Sequence, residues 1–540
     1  MKTKKTAPFL QATWQERPRK GSLEYRYGLL GTAAVAFLVF LSRLTRLGSI
    51  KDLVFDETYY VKDAYSLIKR GYEVQWPKEY DDTFISGNFT LPVDGAFVAH
   101  PSLGKWLIGA GIQLLGDNPW GWRIAACLAG SIAAFLLGRI IWHLWGSWPM
   151  AMLGVVLMGV DGEQIAMSRT SVLDIFLEMF ILLGVLFVVR DQNSYRPRLM
   201  RELLATHELR RTARVAKQLR VAMAKPKGRF ARQRWNYGPA LWWRPWLFAA
   251  GLAFGCAMSV KWSGLYPVAA FGIFVFIREL TARWSTEKRW ISSAMWAGGF
   301  PAFLNLVPIS FVVYILSWTG WALHPKAWGH NGTGLLSEWI SYHLQLITFH
   351  TTLVADHPYK ANPWGWLLQL RPTSFYYEKV GGNCAGQTCV QTVNSLGNPL
   401  LWWIGVLALA LVVVAAARFL DWRAGLIVTG YCATWMPWLI YADRTIFTFY
   451  TVVLTPFVVL SLIYVLGVMR GEWRVAREKD WVARAGLIPA PWSAPQFSCA
   501  TATVLLVVII GTGIFFFPIW TGMPIPADQF YWRMWLPSWI

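Results

Sequence analysis

Apolar runs long enough to cross a lipid bilayer recur along this chain, and that recurrence constrains its fold more than any motif does. A helix needs roughly 20 apolar residues to span the hydrocarbon core, and runs of that order return throughout the 540 residues. Charge is scarce: 15% of residues are Asp, Glu, Lys or Arg, against about 25% in soluble proteins. With 55% hydrophobic residues and a mean hydropathy of +0.36, a fully soluble enzyme is excluded.

The pattern predicts an all-α polytopic membrane protein with eleven spans, at 27–44, 122–145, 148–166, 172–189, 245–260, 264–277, 291–317, 399–417, 424–441, 446–469 and 499–519. Segment 103–115 is apolar but too short to span, so it is expected to lie along the membrane surface as an interfacial helix. Counting it as a span would also carry the Arg-rich loop 190–244 to the outside, against the tendency of Lys and Arg to stay in the cytoplasm. The N-terminus is therefore read as cytoplasmic and the C-terminus as external. The first apolar run follows a basic tail, 1–26, and no small-residue cleavage site follows it, so it reads as a retained anchor.

This topology explains the formal charge of +21. Most of the basic residues fall on the inner side, where anionic lipid heads attract them, and nucleic-acid binding is not expected. The remaining organisation follows: a membrane unit at 27–469, outer loops at 46–121 and 318–398, an inner linker at 470–498 holding Pro489, Pro491 and Pro495, and a last span with an outer tail at 499–540. Within the inner loop, 199–223 reads as a basic amphipathic helix on the inner leaflet. No fixed-period repeat is evident, which disfavours a transporter built from two similar halves.

Four of the six cysteines (Cys127, Cys256, Cys432 and Cys499) lie in or beside apolar segments and read as small core residues. Cys384 and Cys389 sit in a polar, Gly-rich outer loop, where an oxidising compartment would let them pair. There is no phosphate-binding glycine loop, no HExxH and no zinc-type Cys/His spacing, so nothing argues for a nucleotide cofactor or a structural metal.

Candidate chemistry gathers at the outer ends of the spans. Asp56 and Glu57 stand in Val54-Phe55-Asp56-Glu57-Thr58-Tyr59-Tyr60, where aromatic neighbours would desolvate a carboxylate and make it a better base. The same pair could instead cap a helix. Lys105, with His100, belongs to Ala99-His100-Pro101-Ser102-Leu103-Gly104-Lys105-Trp106, at the start of the interfacial helix, and could meet either a functional anion or lipid phosphate. Arg123 is flanked by aromatic residues in Trp120-Gly121-Trp122-Arg123. Its rigid fork suits a phosphate, though an arginine at a membrane boundary often only snorkels. Asp161 and Glu163 precede Ser168-Arg169 and Leu173-Asp174, with Glu178 one turn on. The last could be functional or could lock helices through Arg169. Lys261 in Ser259-Val260-Lys261-Trp262-Ser263-Gly264, His357 in Asp356-His357-Pro358-Tyr359, Arg371 in Leu370-Arg371-Pro372 and Arg444 in Ala442-Asp443-Arg444-Thr445 complete the set.

In this order the motifs resemble the protein O-mannosyltransferases, specifically their bacterial branch. The matching words are Phe55-Asp56-Glu57-Thr58, His100-Pro101-Ser102-Leu103-Gly104-Lys105-Trp106, Trp122-Arg123, Ser168-Arg169 with Leu173-Asp174, Lys261-Trp262-Ser263-Gly264, His357-Pro358-Tyr359 and Arg371-Pro372. The resemblance implies a GT-C glycosyltransferase fold with its site at the outer face of a bacterial plasma membrane. It implies mannose transfer from polyprenyl phosphate mannose to Ser or Thr hydroxyls, with Asp56 as base and Glu57 beside it. Arg123 would bind the donor phosphate, backed by Lys105, Lys261 and Arg444, and no metal or other cofactor would be needed. Partners would be the donor lipid, acceptor polypeptides met during Sec translocation, and membrane lipids. The eukaryotic relatives' large β-trefoil insertion is not expected, because 318–398 is too short for it. A GT-C enzyme acting on a lipid or cell-wall glycan, or a flippase for a lipid-linked sugar, stays open as an alternative.

Overall fold

The computed structural model describes residues 21–218, 237–284, 289–384, 386–469 and 499–540. Most of the basic tail, part of the basic loop and the whole linker lie outside the described residues.

Helix starts are written in the sequence. Ser22 accepts a hydrogen bond from the Tyr25 amide (3.2 Å) and opens α1, Leu23–Leu44. Asn118 does the same for Trp120 and Gly121 at the head of Pro119–Trp145, and Asn398 for Leu401 at Pro399–Phe419; in both, proline follows the cap at a position where its missing N–H costs nothing. Each expected span is helical over most of its length. Among the described residues six helices are long and apolar enough to cross a membrane: Leu23–Leu44, Pro119–Trp145, Trp262–Trp284, Trp290–Ser317, Pro399–Phe419 and Ala500–Thr521. Trp148–Gly159, Pro245–Val260 and Thr455–Met469 are shorter apolar helices packed among them.

The expected boundaries shift where side chains find distant partners. Segment 148–166 breaks at Asp161, which caps a new short helix, Gly162–Met167, and accepts bonds from the Asn398 amide and the Trp402 indole, both at 2.9 Å. The fourth span starts at Asp174 and runs unbroken to Gln218. The stretch read as a separate amphipathic helix at 199–223 is therefore its continuation as far as residue 218, and the rest lies outside the described residues. A π-helical turn, Ala294–Gly299, interrupts the seventh segment, and the ninth breaks between Thr434 and Met436.

One end of the bundle carries the two long loops. The first holds α2, Glu57–Arg70, and α3, Leu103–Leu115, the latter with the bounds expected of the interfacial helix. The second holds a further helix, Leu335–Thr352, and a hairpin that a purely helical reading does not foresee. Its strands are β1, Thr373–Cys384, and β2, Gln387–Ser395, antiparallel and joined by a Cys384–Cys389 disulfide. β2 also pairs with β3, Ile525–Pro526, which ties the hairpin to the end of the last span.

The far end is locked by buried charge. Arg244 bridges Asp191 and Glu279, Arg278 reaches Asp191 (2.6 Å), and Arg283 and Tyr195 close on Glu279. All six side chains are buried. Replacing Asp191 by Asn should leave Arg278 without a carboxylate and Arg244 with Glu279 alone, at a cost of about 3–5 kcal/mol, as for other broken buried pairs. The check is thermal unfolding in detergent; an unchanged midpoint would show that the arginines do not depend on Asp191.

Candidate active site

The site is built on the turn between α1 and α2. Arg123, in the Pro119–Trp145 helix, directs both edges of its guanidinium at that turn. Nε and Nη2 hold Glu57 bidentately (2.9 and 2.7 Å), Nη1 donates to the Leu47 and Ile50 carbonyls (3.4 and 2.7 Å), and Nη2 also reaches Asp52 O (2.8 Å). Glu57 takes two further bonds, from the Val54 amide (3.0 Å) and the Ser171 amide (2.7 Å). A guanidinium has five N–H donors, and every one is spent here. Where the sequence led to an expectation of phosphate binding by Arg123, the structure has all of its donors engaged within the chain. Glu57 is equally saturated and fully buried.

Between those anchors the chain presents Phe55 and Asp56. Phe55 has a left-handed backbone (φ 51°) that a bulky residue adopts only when its surroundings impose it. Those surroundings are rings: Phe375 at 5.1 Å, Phe449 at 5.4 Å, Phe447 at 5.5 Å and His357 at 6.1 Å between centroids. Held this way, Asp56 is half-buried and faces Lys261 and Asp174. Burial pushes its carboxyl up to about 6, with the Lys261 charge opposing the rise. Lys261 is itself buried. Its Nζ donates to both Asp174 oxygens (2.9 and 3.0 Å) and lies 3.9 Å from the centre of the Tyr450 ring.

Across from this group are two stacked imidazoles and an arginine. His100 and His350 lie 5.4 Å apart, and Arg444 donates from Nη2 to His350 Nδ1 (3.1 Å). Burial, then the Lys261 charge, depresses His100 well below the ordinary histidine range. Arg444 makes no ion pair among the described residues, and its buried Nε has no partner there; His100 Nδ1 is in the same position. Asp56 thus faces the Lys261 ammonium, while Arg444 is held by His350, which stacks on His100.

The other sequence candidates lie outside this group or are already engaged. Lys105 is buried against Glu73 (2.6 Å) and Asp63 (3.4 Å), so its charge serves the first loop. Arg169 donates to the Arg43 and Thr521 carbonyls, closing the ends of two spans. Arg371 binds the carbonyls of Pro358, Ser538 and Ile540, and His357 accepts from the Tyr359 amide while packing on Phe55. Glu163 accepts from Thr451 (2.7 Å) and Glu178 from Gln164, both within the bundle. Among the described residues no group of three or more His, Cys, Asp or Glu is placed to hold a metal. Tyr450 and His350 escaped sequence reasoning. His350 alone left a trace, as a polar residue on the inward side of an amphipathic helix.

Two family models account for most of the chain: dolichyl-phosphate-mannose-protein mannosyltransferase matches 33–206 and 235–323, and the C-terminal four-transmembrane region of protein O-mannosyltransferase matches 335–539. The chain belongs to the protein O-mannosyltransferase family. It is 29% identical, over 97% of its length and 95% of the relative's, to a polyprenol-phosphate-mannose–protein mannosyltransferase of Mycolicibacterium smegmatis. Against the Corynebacterium glutamicum protein of that name it is 28% identical, covering 94% and 92%. The fold matches one chain of the S. cerevisiae protein O-mannosyltransferase Pmt1-Pmt2 complex bound to the sugar donor, with a TM-score of 0.66 at 14% identity over 96% of this chain and 93% of that one. The chain is thus a multi-pass membrane glycosyltransferase of the GT-C fold.

Because the Arg123 fork is spent on Glu57 and three carbonyls, Arg123→Lys should act on stability. A loss of about 3 kcal/mol is expected, the lower end for a broken buried pair. In the protein that still folds, the Michaelis constant for the lipid donor should stay within about threefold of wild type, since the hydrogen bonds lost are internal. A selective rise in that constant with unchanged unfolding would return Arg123 to the phosphate.

Proposed function

We propose that this protein transfers mannose from polyprenyl phosphate mannose to Ser and Thr hydroxyls of polypeptides, using Asp56 as base and Lys261 and Arg444 as the receivers of phosphate charge. The observation that carries the reading is Asp56 facing the buried Lys261 ammonium, with Arg444, a guanidinium lacking a carboxylate, also among the charges around Tyr450. The family membership and the names of its relatives support the donor and acceptor classes.

In a single displacement the acceptor oxygen attacks C1 of the sugar and passes its proton to an Asp56 oxygen. The C1–O bond to phosphate breaks, its electron pair stays with polyprenyl phosphate, and configuration inverts from β to α. Charge grows on the departing phosphate, and fixed cations at that place lower the barrier without reorganising. Lys261 keeps one N–H beyond the two used by Asp174, and Arg444 keeps its Nε–H. These two donors fill the place that the sequence expectation gave to Arg123 and Lys105, and the scheme asks for no metal. A small cleft lined by Leu177, Ile181, Pro267, Ala433 and Val453, with Ser263, Tyr266 and Thr434, lies beside Asp174 and Tyr450. Placing the loop end outside the plasma membrane, with the N-terminus in the cytoplasm, agrees with the distribution of Lys and Arg.

Asp56→Asn should keep the fold and lower turnover by about 100-fold or more, the scale of general base catalysis; the assay is transfer of labelled mannose from polyprenyl phosphate to a Ser/Thr/Pro-rich peptide. Near-normal transfer by a folded Asp56→Asn protein would remove the base assignment.

The same carboxylate sets a pH dependence. Only its ionised form accepts a proton, so kcat/KM should fall as pH drops through about 6, where the group titrates. Lys261 stabilises the ionised form, so Lys261→Met should move that acid limb to higher pH. A limb that stays in place after this substitution would separate Lys261 from Asp56.

A further inference from the structure

The helix Leu335–Thr352 has two unlike faces. Leu336, Ile340, Leu344 and Ile347 are exposed along one side, at the spacing of a single helical stripe. The opposite side buries Glu338, Tyr342 and Leu346 and ends on His350. Both ends of the helix are fixed from within. Glu338 accepts from His330 (2.6 Å) and from the Asn331 and Gly332 amides (2.9 and 2.7 Å), while His343 shares a bond with the Tyr314 hydroxyl (2.7 Å).

His350 has two different partners. Nδ1 takes the Arg444 Nη2 hydrogen (3.1 Å), so it carries a lone pair, and Nε2 then carries the proton and donates to the Ala99 carbonyl (2.8 Å). One imidazole thus joins Arg444 to the residue preceding His100, and it must be neutral to do so. Burial favours that form, holding His350 down to about 4. Trp262, next to Lys261, packs on the same ring at 5.5 Å. Without His350 nothing else among the described residues accepts from the side chain of Arg444.

We propose that His350 is a positioning residue for the donor phosphate: its Nδ1 lone pair aims Arg444 at the site, while its Nε2–H fixes the His100 loop. This rests on Arg444 receiving the phosphate. It explains why a cation with one polar partner stays directed inward and does not snorkel to water.

The two nitrogens can be tested apart. The side-chain oxygen of Asn falls where Nδ1 stands, and the amide nitrogen of Gln falls where Nε2 stands. In full-length protein assayed with polyprenyl phosphate mannose, His350→Asn should keep the donor KM within about threefold of wild type. His350→Gln and His350→Ala should raise it about tenfold, the scale of one hydrogen bond to a charged group, with a smaller change in kcat. In addition, the double variant His350→Ala with Arg444→Ala should be no worse for donor KM than Arg444→Ala alone, because the histidine acts through the arginine. If Asn and Gln behave alike, or if the two alanine effects multiply, the positioning role is overturned. If Arg444→Ala itself leaves donor KM unchanged, the phosphate assignment of Arg444 fails first.

Discussion

Glu57 and Arg123 meet in the interior with every donor and acceptor used, and the active-site turn hangs from that pairing. A buried ion pair of this kind adds little net stability over a well-packed apolar substitute, because both charges must first be desolvated. What it adds is geometry. The guanidinium fork fixes the carbonyls of Leu47, Ile50 and Asp52 on one side and the carboxylate of Glu57 on the other. Ser171 then joins the start of the fourth span to the same carboxylate. The turn from α1 to α2 therefore has one path, and Asp56 can point only where that path leaves it.

Around this anchor the cations divide by how much of their hydrogen-bonding capacity is already committed. Arg123, Lys105, Arg169 and Arg371 bind carbonyls or carboxylates of the chain itself. Lys261 is partly committed, to Asp174, and Arg444 binds a neutral imidazole. In the proposed function an incoming phosphate would meet the last two, the cations with capacity to spare. The distinction is one of valence more than of charge, since all six carry the same sign.

The sequence made the membrane architecture legible because hydropathy reports directly on the solvent surrounding each helix. The helix Leu103–Leu115 was readable with its bounds for the same reason, as an apolar run shorter than a span. Asp56, Lys261 and Arg444 were visible as charges in apolar surroundings. The break at Asp161 was not, since its partners Asn398 and Trp402 lie more than two hundred residues on. The hairpin was hidden by its Gly-rich turn and by pairing with Ile525–Pro526 at the far end of the chain. For Arg123 the residue type was informative and its occupancy was not. A sequence shows that a guanidinium can bind phosphate, but only a structure shows that its hydrogens are already taken.

The clamp on Phe55 has a consequence for timing. Its rings come from His357, Phe375, Phe447 and Phe449, all contributed by the later half of the chain. A ribosome releases the acidic turn long before it supplies the residues that impose the left-handed backbone beside Asp56. A nascent chain therefore enters the membrane with Asp56 present but its turn not yet held in place. If Asp56 is the base, as proposed, competence arrives as the later helices insert, and a prematurely terminated product would be inert even though it contains that carboxylate.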